Sequence, residues 1–183
     1  MSSRMSPRAS PGTLRQKTTP GMHYAGAVLQ HLVGAKLDCA LGKGGVRTDK
    51  EEGDGTTPAG LLPLRRIFYR ADRVAPPRCA MPIEPIAPSD GWCDDPTDRD
   101  YNRFVHLPHE ARHEELWRRD EIYDVIAVLG WNDAPVVKGR GSAIFLHVAR
   151  PNYAPTEGCV ALVLPDLTRL LAEGLTALRV LLG

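Results

Sequence analysis

The sequence predicts a mainly β fold, a sandwich or barrel-like arrangement with one or two helices and a long loop insert. Three observations carry that expectation. Short apolar segments rich in β-branched residues recur between Gly- and Pro-rich turns. Only a few stretches carry helical signals. Strands do not alternate with helices as a parallel βαβ architecture would require.

Taken in order, Met1 to Gly21 is built of Ser, Thr, Pro, Arg and Lys, with almost no large apolar side chain and no acid. Such a composition cannot bury enough surface to offset its ordering entropy, so residues 1–21 are expected to form a disordered basic tail ahead of one domain over 22–183. Ala27 to Leu32 and Ala35 to Leu41 read as two strands joined near Gly34. Gly42 to Gly60 is rich in Gly, Asp and Thr and reads as a long exposed turn region. Leu61 to Arg70 is the next strand, with Pro63 arguing for an edge position or a late start. Val74 to Asn102 carries six prolines and reads as a loop-dominated insert.

Further on, Glu110 to Arg119 reads as a helix with Leu116 and Trp117 on one side. Ile122 to Leu129 and Ser142 to Val148 are strong strand candidates. A helix over Leu167 to Ala172 fits Asp166 as its N-cap and Gly174 just past its end. Leu175 to Leu182 closes the chain as a strand or a second helix.

Bulk properties bound the function. A chain of 183 residues is long enough for a core without covalent staples. With 23 Lys and Arg against 22 Asp and Glu, it has no strong field to recruit nucleic acid or an anionic membrane. No apolar run approaches the roughly 20 residues that span a bilayer, so no transmembrane segment is expected. The basic N-terminus lacks the apolar region of a signal peptide, so no export signal is visible. Cys39, Cys79, Cys93 and Cys159 lack a regular spacing and their pairing is open, with Cys79 and Cys93 as one candidate bridge.

The segment from Gly141 to Leu171 carries the chemistry. His147 ends an apolar strand, where its side chain is expected to leave the core, and Cys159 follows the permissive Gly158 across a loop. A thiolate nucleophile needs this partnership, because the imidazole takes the thiol proton and steadies the charge. Gly158 lets the backbone approach a ligand, and N–H groups near Cys159 are placed to bind an oxyanion. A buried structural cysteine beside a hydrogen-bonded histidine is the bland alternative.

The stretch IFLHVARPNYAPTEGCVAL resembles the His-loop-[Ser/Thr]-x-Gly-Cys motif of the L,D-transpeptidase (YkuD-like) catalytic domain. Thr57, Pro58, Ala59 and Gly60 resemble that family's Thr-Pro-x-Gly turn, and Asp166 ahead of a Leu-rich helix also fits. The resemblance implies a YkuD-like β-sandwich and a cysteine acyl transferase acting on peptidoglycan stem peptides or muropeptides. It makes Cys159 the nucleophile and His147 the base, with the Val148 carbonyl orienting the imidazole. Thr156 and Gly158 would shape the loop that presents the thiol.

Departures fall on the substrate side. The gap between His147 and Cys159 is short for the family, Ala161 replaces its common Arg or Asn, and acidic Glu157 replaces its His or Lys. Thr156, Glu157, Arg140 and Arg150 are therefore the substrate-binding candidates, with an arginine supplying the positive group for a substrate carboxylate. The substrate implies the periplasm or cell envelope, while the absent signal leaves the cytoplasm open. An L,D-carboxypeptidase, a metal-dependent hydrolase and a non-catalytic envelope-binding module are the rivals.

Two further clusters carry weaker signals. Acids at Asp90, Asp94, Asp95, Asp98 and Asp100 lack the spacing of a calcium loop and read as turn acids. His106, His109 and His113 suit one helical face, but Pro108 interrupts the run, so no metal or other cofactor is expected. Trp92 and Trp131, with Tyr123, Asn132 and Asp133, read as anchors and turn residues near the cleft.

Overall fold

The computed structural model describes residues 37–182 and the dipeptide Arg15–Gln16. The rest of the expected tail over residues 1–21, and the expected strand Ala27 to Leu32, lie outside the described residues. The strands are β1 (Arg15–Gln16), β2 (Asp38–Cys39), β3 (Val46–Arg47), β4 (Thr57–Pro58), β5 (Gly60–Tyr69), β6 (Ile83–Pro85) and β7 (Asp90–Cys93). They continue with β8 (Arg103–His106), β9 (His113–Glu115), β10 (Val125–Leu129), β11 (Phe145–Val148), β12 (Val160–Leu162) and β13 (Ala177–Val180). A short 3₁₀ turn covers Pro151–Tyr153, and α1 (Leu164–Ala172) is the α-helix of the described residues. The mainly β expectation holds, and the chain's last segment is a strand.

One sheet organises the molecule, in the order β12-β11-β10-β5-β13, with β6 also on β5. β11 and β12 run parallel, whereas β10 is antiparallel to both β11 and β5. The long β5 gives its first half to β13 and its last three residues to β6. Pro63 is therefore not on an edge. It lies where β10 has ended, its carbonyl accepts the Gly130 N–H at 2.7 Å, and the donor it lacks leaves no gap in the ladder.

β10 reads Val-Ile-Ala-Val-Leu with every residue buried, as a strand covered on both faces must. Val125, Ala127 and Leu129 join Leu146, Val148, Val160 and Leu162 on one face, packed by Leu167, Leu170 and Leu171 of α1. Each such leucine, fully buried, stabilises the fold by about 1.5–3 kcal/mol. Ile126 and Val128 join Phe68, Phe145 and Cys159 on the other face, against Trp92, Ile122, Tyr123 and Leu116. That second face is covered by a smaller sheet, ordered β8-β7-β9.

Several expectations need correction. No helix forms over Glu110 to Arg119; the segment supplies β9, followed by turns. Leu116 and Trp117 are adjacent, so a helix there would have no apolar stripe of more than one turn to bury. Instead Leu116 is fully buried and its N–H bonds the Asp90 carbonyl at 3.0 Å. The insert Val74 to Asn102 is not structureless, because it contains β6 and the wholly buried β7, which centres the smaller sheet.

The strand expected over Ala35 to Leu41 contracts, within the described residues, to β2 plus a bridge between Ala40 and Ala161. The Gly42 to Gly60 region holds β3 and β4, and Lys50, Thr56 and Thr57 within it are buried. α1 starts earlier than expected, with Val163 at the N-cap and Asp166 in its first turn. It ends at Ala172 with Glu173 as C-cap, and Gly174, at φ +89°, takes the left-handed position that closes the helix. All four cysteines are free thiols.

Candidate active site

Period-2 geometry decides where the two key side chains go. In β11, Leu146 and Val148 point to the helix face, so Phe145 and His147 point to the opposite one. His147 does not leave the core at the strand end: it is 4% exposed. The parallel register pairs Leu146 with Val160 and His147 with Ala161, which sets Cys159 just ahead of β12, on the Phe145 side. Cys159 and His147 thus share one face of adjacent strands. Ala161 is the small buried residue beside the imidazole.

Gly158 turns the chain into Cys159 at φ +136°, and a Cβ there would sit 2.8 Å from the Thr56 carbonyl oxygen. No other residue fits this approach. Thr156 is buried; its hydroxyl donates to the Cys159 carbonyl at 2.7 Å and accepts the Gly158 N–H at 3.2 Å. The Thr57 hydroxyl donates to the same carbonyl at 3.3 Å and accepts the Gly42 N–H at 2.8 Å. The Thr-Pro turn and the cysteine loop are thereby clamped together, and Thr156 is spent on that clamp rather than turned outward.

The thiol itself accepts the Phe145 N–H at 3.4 Å and donates to the Ala143 carbonyl at 3.2 Å. Ala143 sits at φ +52°, an unfavourable conformation for a residue with a Cβ, which is held by Asn102. The Asn102 side-chain oxygen accepts the Ala143 N–H and the Trp92 indole N–H, each at 3.1 Å. Its amide nitrogen donates to the Trp131 and Asn132 carbonyls. The two tryptophans and the Gly130 to Asp133 turn act on the site through this asparagine.

Nδ1 of His147 lies 2.9 Å from the Val148 carbonyl oxygen. A carbonyl only accepts, so Nδ1 carries the proton and Nε2 of the neutral ring presents a lone pair. Burial drives the imidazole down to about 4, against the help of the Val148 carbonyl. Burial likewise pushes the Cys159 thiol up to about 12, with the charge of Glu114 adding to it. At neutral pH the resting pair is therefore thiol and imidazole, not an ion pair.

Tyr123 packs edge-on against His147 at 5.5 Å and donates its hydroxyl proton to Glu114. Burial raises the Glu114 carboxyl above its ordinary range, although the Tyr123 hydrogen bond opposes this. A cleft of about 350 Å³ opens at Cys159, lined by Lys50, Glu52, Asp94, Arg112, Glu114 and Ser142 among others. Lys50 is 3% exposed and bonds Asp54 at 2.8 Å, and its charge favours the Cys159 thiolate.

Arg140 and Arg150 are both exposed, and neither lines this cleft. Arg150 precedes the 3₁₀ turn, and Arg140 ends a loop whose carbonyl accepts the Trp131 indole at 2.8 Å. The cleft's basic groups are instead Lys50 and Arg112. Glu157 lines the cleft but is exposed and paired with Lys43 at 2.7 Å. Sequence reasoning missed Lys50, which sits in a stretch that reads as an exposed turn, and Arg112 and Glu114, which sit in a charge-rich stretch that reads as a helix. Only contacts across the fold distinguish them.

A buried cysteine at the wall of a cleft, with a buried histidine on the same face of the adjacent strand, makes a candidate thiol-dependent site on a β-sandwich. The family model of the L,D-transpeptidase catalytic domain (YkuD) matches residues 17–177, and the chain belongs to that family. Among curated proteins and among solved structures, no match to the chain was found. No helix among the described residues is long and apolar enough to cross a membrane.

Proposed function

We propose that this chain is an L,D-transpeptidase in activity as well as in family, a cysteine acyl transferase acting on peptidoglycan stem peptides in the cell envelope. The observation that carries the reading is the orientation of His147. With Nδ1 bonded to the Val148 carbonyl, Nε2 is left as the base on the face that holds Cys159.

In the acylation step, the Cys159 thiol gives its proton to His147 Nε2 as sulfur attacks the amide carbonyl between the third and fourth stem residues. The N–H of Gly158 is committed to Thr156. The Cys159 N–H is accordingly the backbone donor assigned to the oxyanion. The C–N bond then breaks, and His147 returns the proton to the departing D-alanine amine. This leaves a thioester on Cys159. A second stem peptide's amine attacks the thioester, passes its proton to His147, and restores the thiol.

A neutral resting pair suits this sequence, because proton transfer to His147 then accompanies attack on the carbonyl and no free thiolate has to build up beforehand. Lys50 and Arg112 are assigned to the donor's carboxylate, and Glu52 and Glu114 to its amine; Val148 is a positioning residue.

Incubation with a tetrapeptide muropeptide tests the reading. Wild type is expected to release D-alanine and form a cross-linked dimer, and Cys159→Ala to do neither while folding normally. Release without the dimer assigns water as the acceptor, and so a carboxypeptidase. Undiminished release by Cys159→Ala would overturn the assignment of the nucleophile.

A further inference from the structure

Away from the cleft face, the smaller sheet gathers a second set of chemistry-bearing side chains. One ligand atom each from Cys93, Asp98 and His109 lies within 4.8 Å of the others. Cys93 ends β7 with no exposure, Asp98 belongs to the β7–β8 loop, and His109 to the β8–β9 loop. His109 Nε2 is buried and has no hydrogen-bond partner among the described residues. The Asp98 Oδ1 atom is 3.9 Å from it, beyond hydrogen-bond reach. A histidine kept simply for packing would be expected to satisfy that nitrogen, because an orphaned buried polar atom costs about 1–3 kcal/mol.

We propose that Cys93, Asp98 and His109 form a zinc site. The donor set is one thiolate, one imidazole and one carboxylate, which suits zinc's borderline-soft character and excludes the all-oxygen chemistry of calcium or magnesium. A tetrahedral zinc with bonds near 2.1 Å holds nitrogen and oxygen ligands about 3.4 Å apart. The 3.9 Å between His109 Nε2 and Asp98 Oδ1 closes to that with a small side-chain shift. The loop is already held for the purpose: Asp98 Oδ1 accepts the Asp100 N–H at 2.7 Å, and Lys138 Nζ donates to the Thr97 and Asp98 carbonyls. The carboxylate keeps further lone pairs for a metal.

The set differs from the three histidines that the sequence brings to mind. His106 lies on β8 with its side chain 76% exposed, 3.4 Å from Asp90. His113 is the register partner of Cys93 on β9, its ring 6.0 Å from that of His109. Three protein ligands leave the fourth position to solvent. At that position zinc would tie together the two loops that carry Asp94 and Arg112 into the cleft wall, where Arg112 Nε already bonds Asp94 at 3.0 Å.

The test is zinc affinity of the purified full chain, measured by chelator competition, together with the cobalt-substituted absorption spectrum. Wild type and Cys159→Ser are expected to bind about one zinc per chain. His109→Ala and Asp98→Asn are expected to lose at least tenfold in affinity, and Cys93→Ser to lose the thiolate-to-cobalt charge-transfer band. Cooperative unfolding of each variant without metal is the control, and Asp98→Asn reads the site if His109→Ala fails to fold. No zinc binding by wild type would overturn the proposal. So would binding retained in both His109→Ala and Asp98→Asn, or binding lost in Cys159→Ser but kept in His109→Ala, which would place the metal on the His147 pair. None of these outcomes depends on whether Cys159 is a nucleophile.

Discussion

The two faces of β11 do opposite work within four residues. Leu146 and Val148 face α1 in an all-hydrocarbon layer, with Leu167, Leu170 and Leu171 across from them. Phe145 and His147 face a layer that holds Cys159, Tyr123 and Trp92, with Glu114 hydrogen-bonded at its rim. Burial stabilises the first face outright, whereas on the second it holds an imidazole and a thiol in their neutral forms. A single strand thus ties the site to the buried hydrocarbon layer. The imidazole sits on the sheet itself, and the thiol on a loop that Thr156 and Thr57 clamp just ahead of β12.

Breaking the hydrocarbon face is expected to have the larger effect. Leu146→Ala should lower unfolding free energy in denaturant titration by about 2–5 kcal/mol, since Leu146 is completely buried. A loss below about 1 kcal/mol would mean that this face is not the stabilising layer.

The other face sharpens the comparison through pH. His147 is held near 4 when folded and titrates near 6.5 when unfolded, so protons favour the unfolded chain as pH falls between those values. Wild type should therefore lose about 3 kcal/mol from this group on going from pH 7 to pH 4. In His147→Gln the stability–pH slope over that window should flatten by this amount. An unchanged slope would show that the imidazole is not buried neutral.

Much of this was legible in the sequence, and the failures have causes. Short apolar runs marked β5, β10 and β11, because their pattern survives wherever strands are buried. Gly174 marked the end of α1, where its left-handed φ is required. Cys159, Gly158 and His147 stood out because a short motif keeps them close along the chain.

The helix misread at Glu110 to Arg119 rested on local charge pattern, while the actual pairing of β9 is to β7, about twenty residues earlier. His147 was expected at the surface because a strand's end is ambiguous until its neighbours' register is known. Lys50, Glu114 and Asn102 were invisible for the same reason, each reaching the site from a distant part of the chain.

The most direct test of the central claim is intact-protein mass spectrometry after incubation with a carbapenem, whose strained amide resembles this family's acyl donors. The account predicts a covalent adduct on wild type, absent from Cys159→Ser, whose formation persists to about pH 5 and fails as His147 protonates near 4. No adduct on folded wild-type protein with a free Cys159 thiol would contradict it.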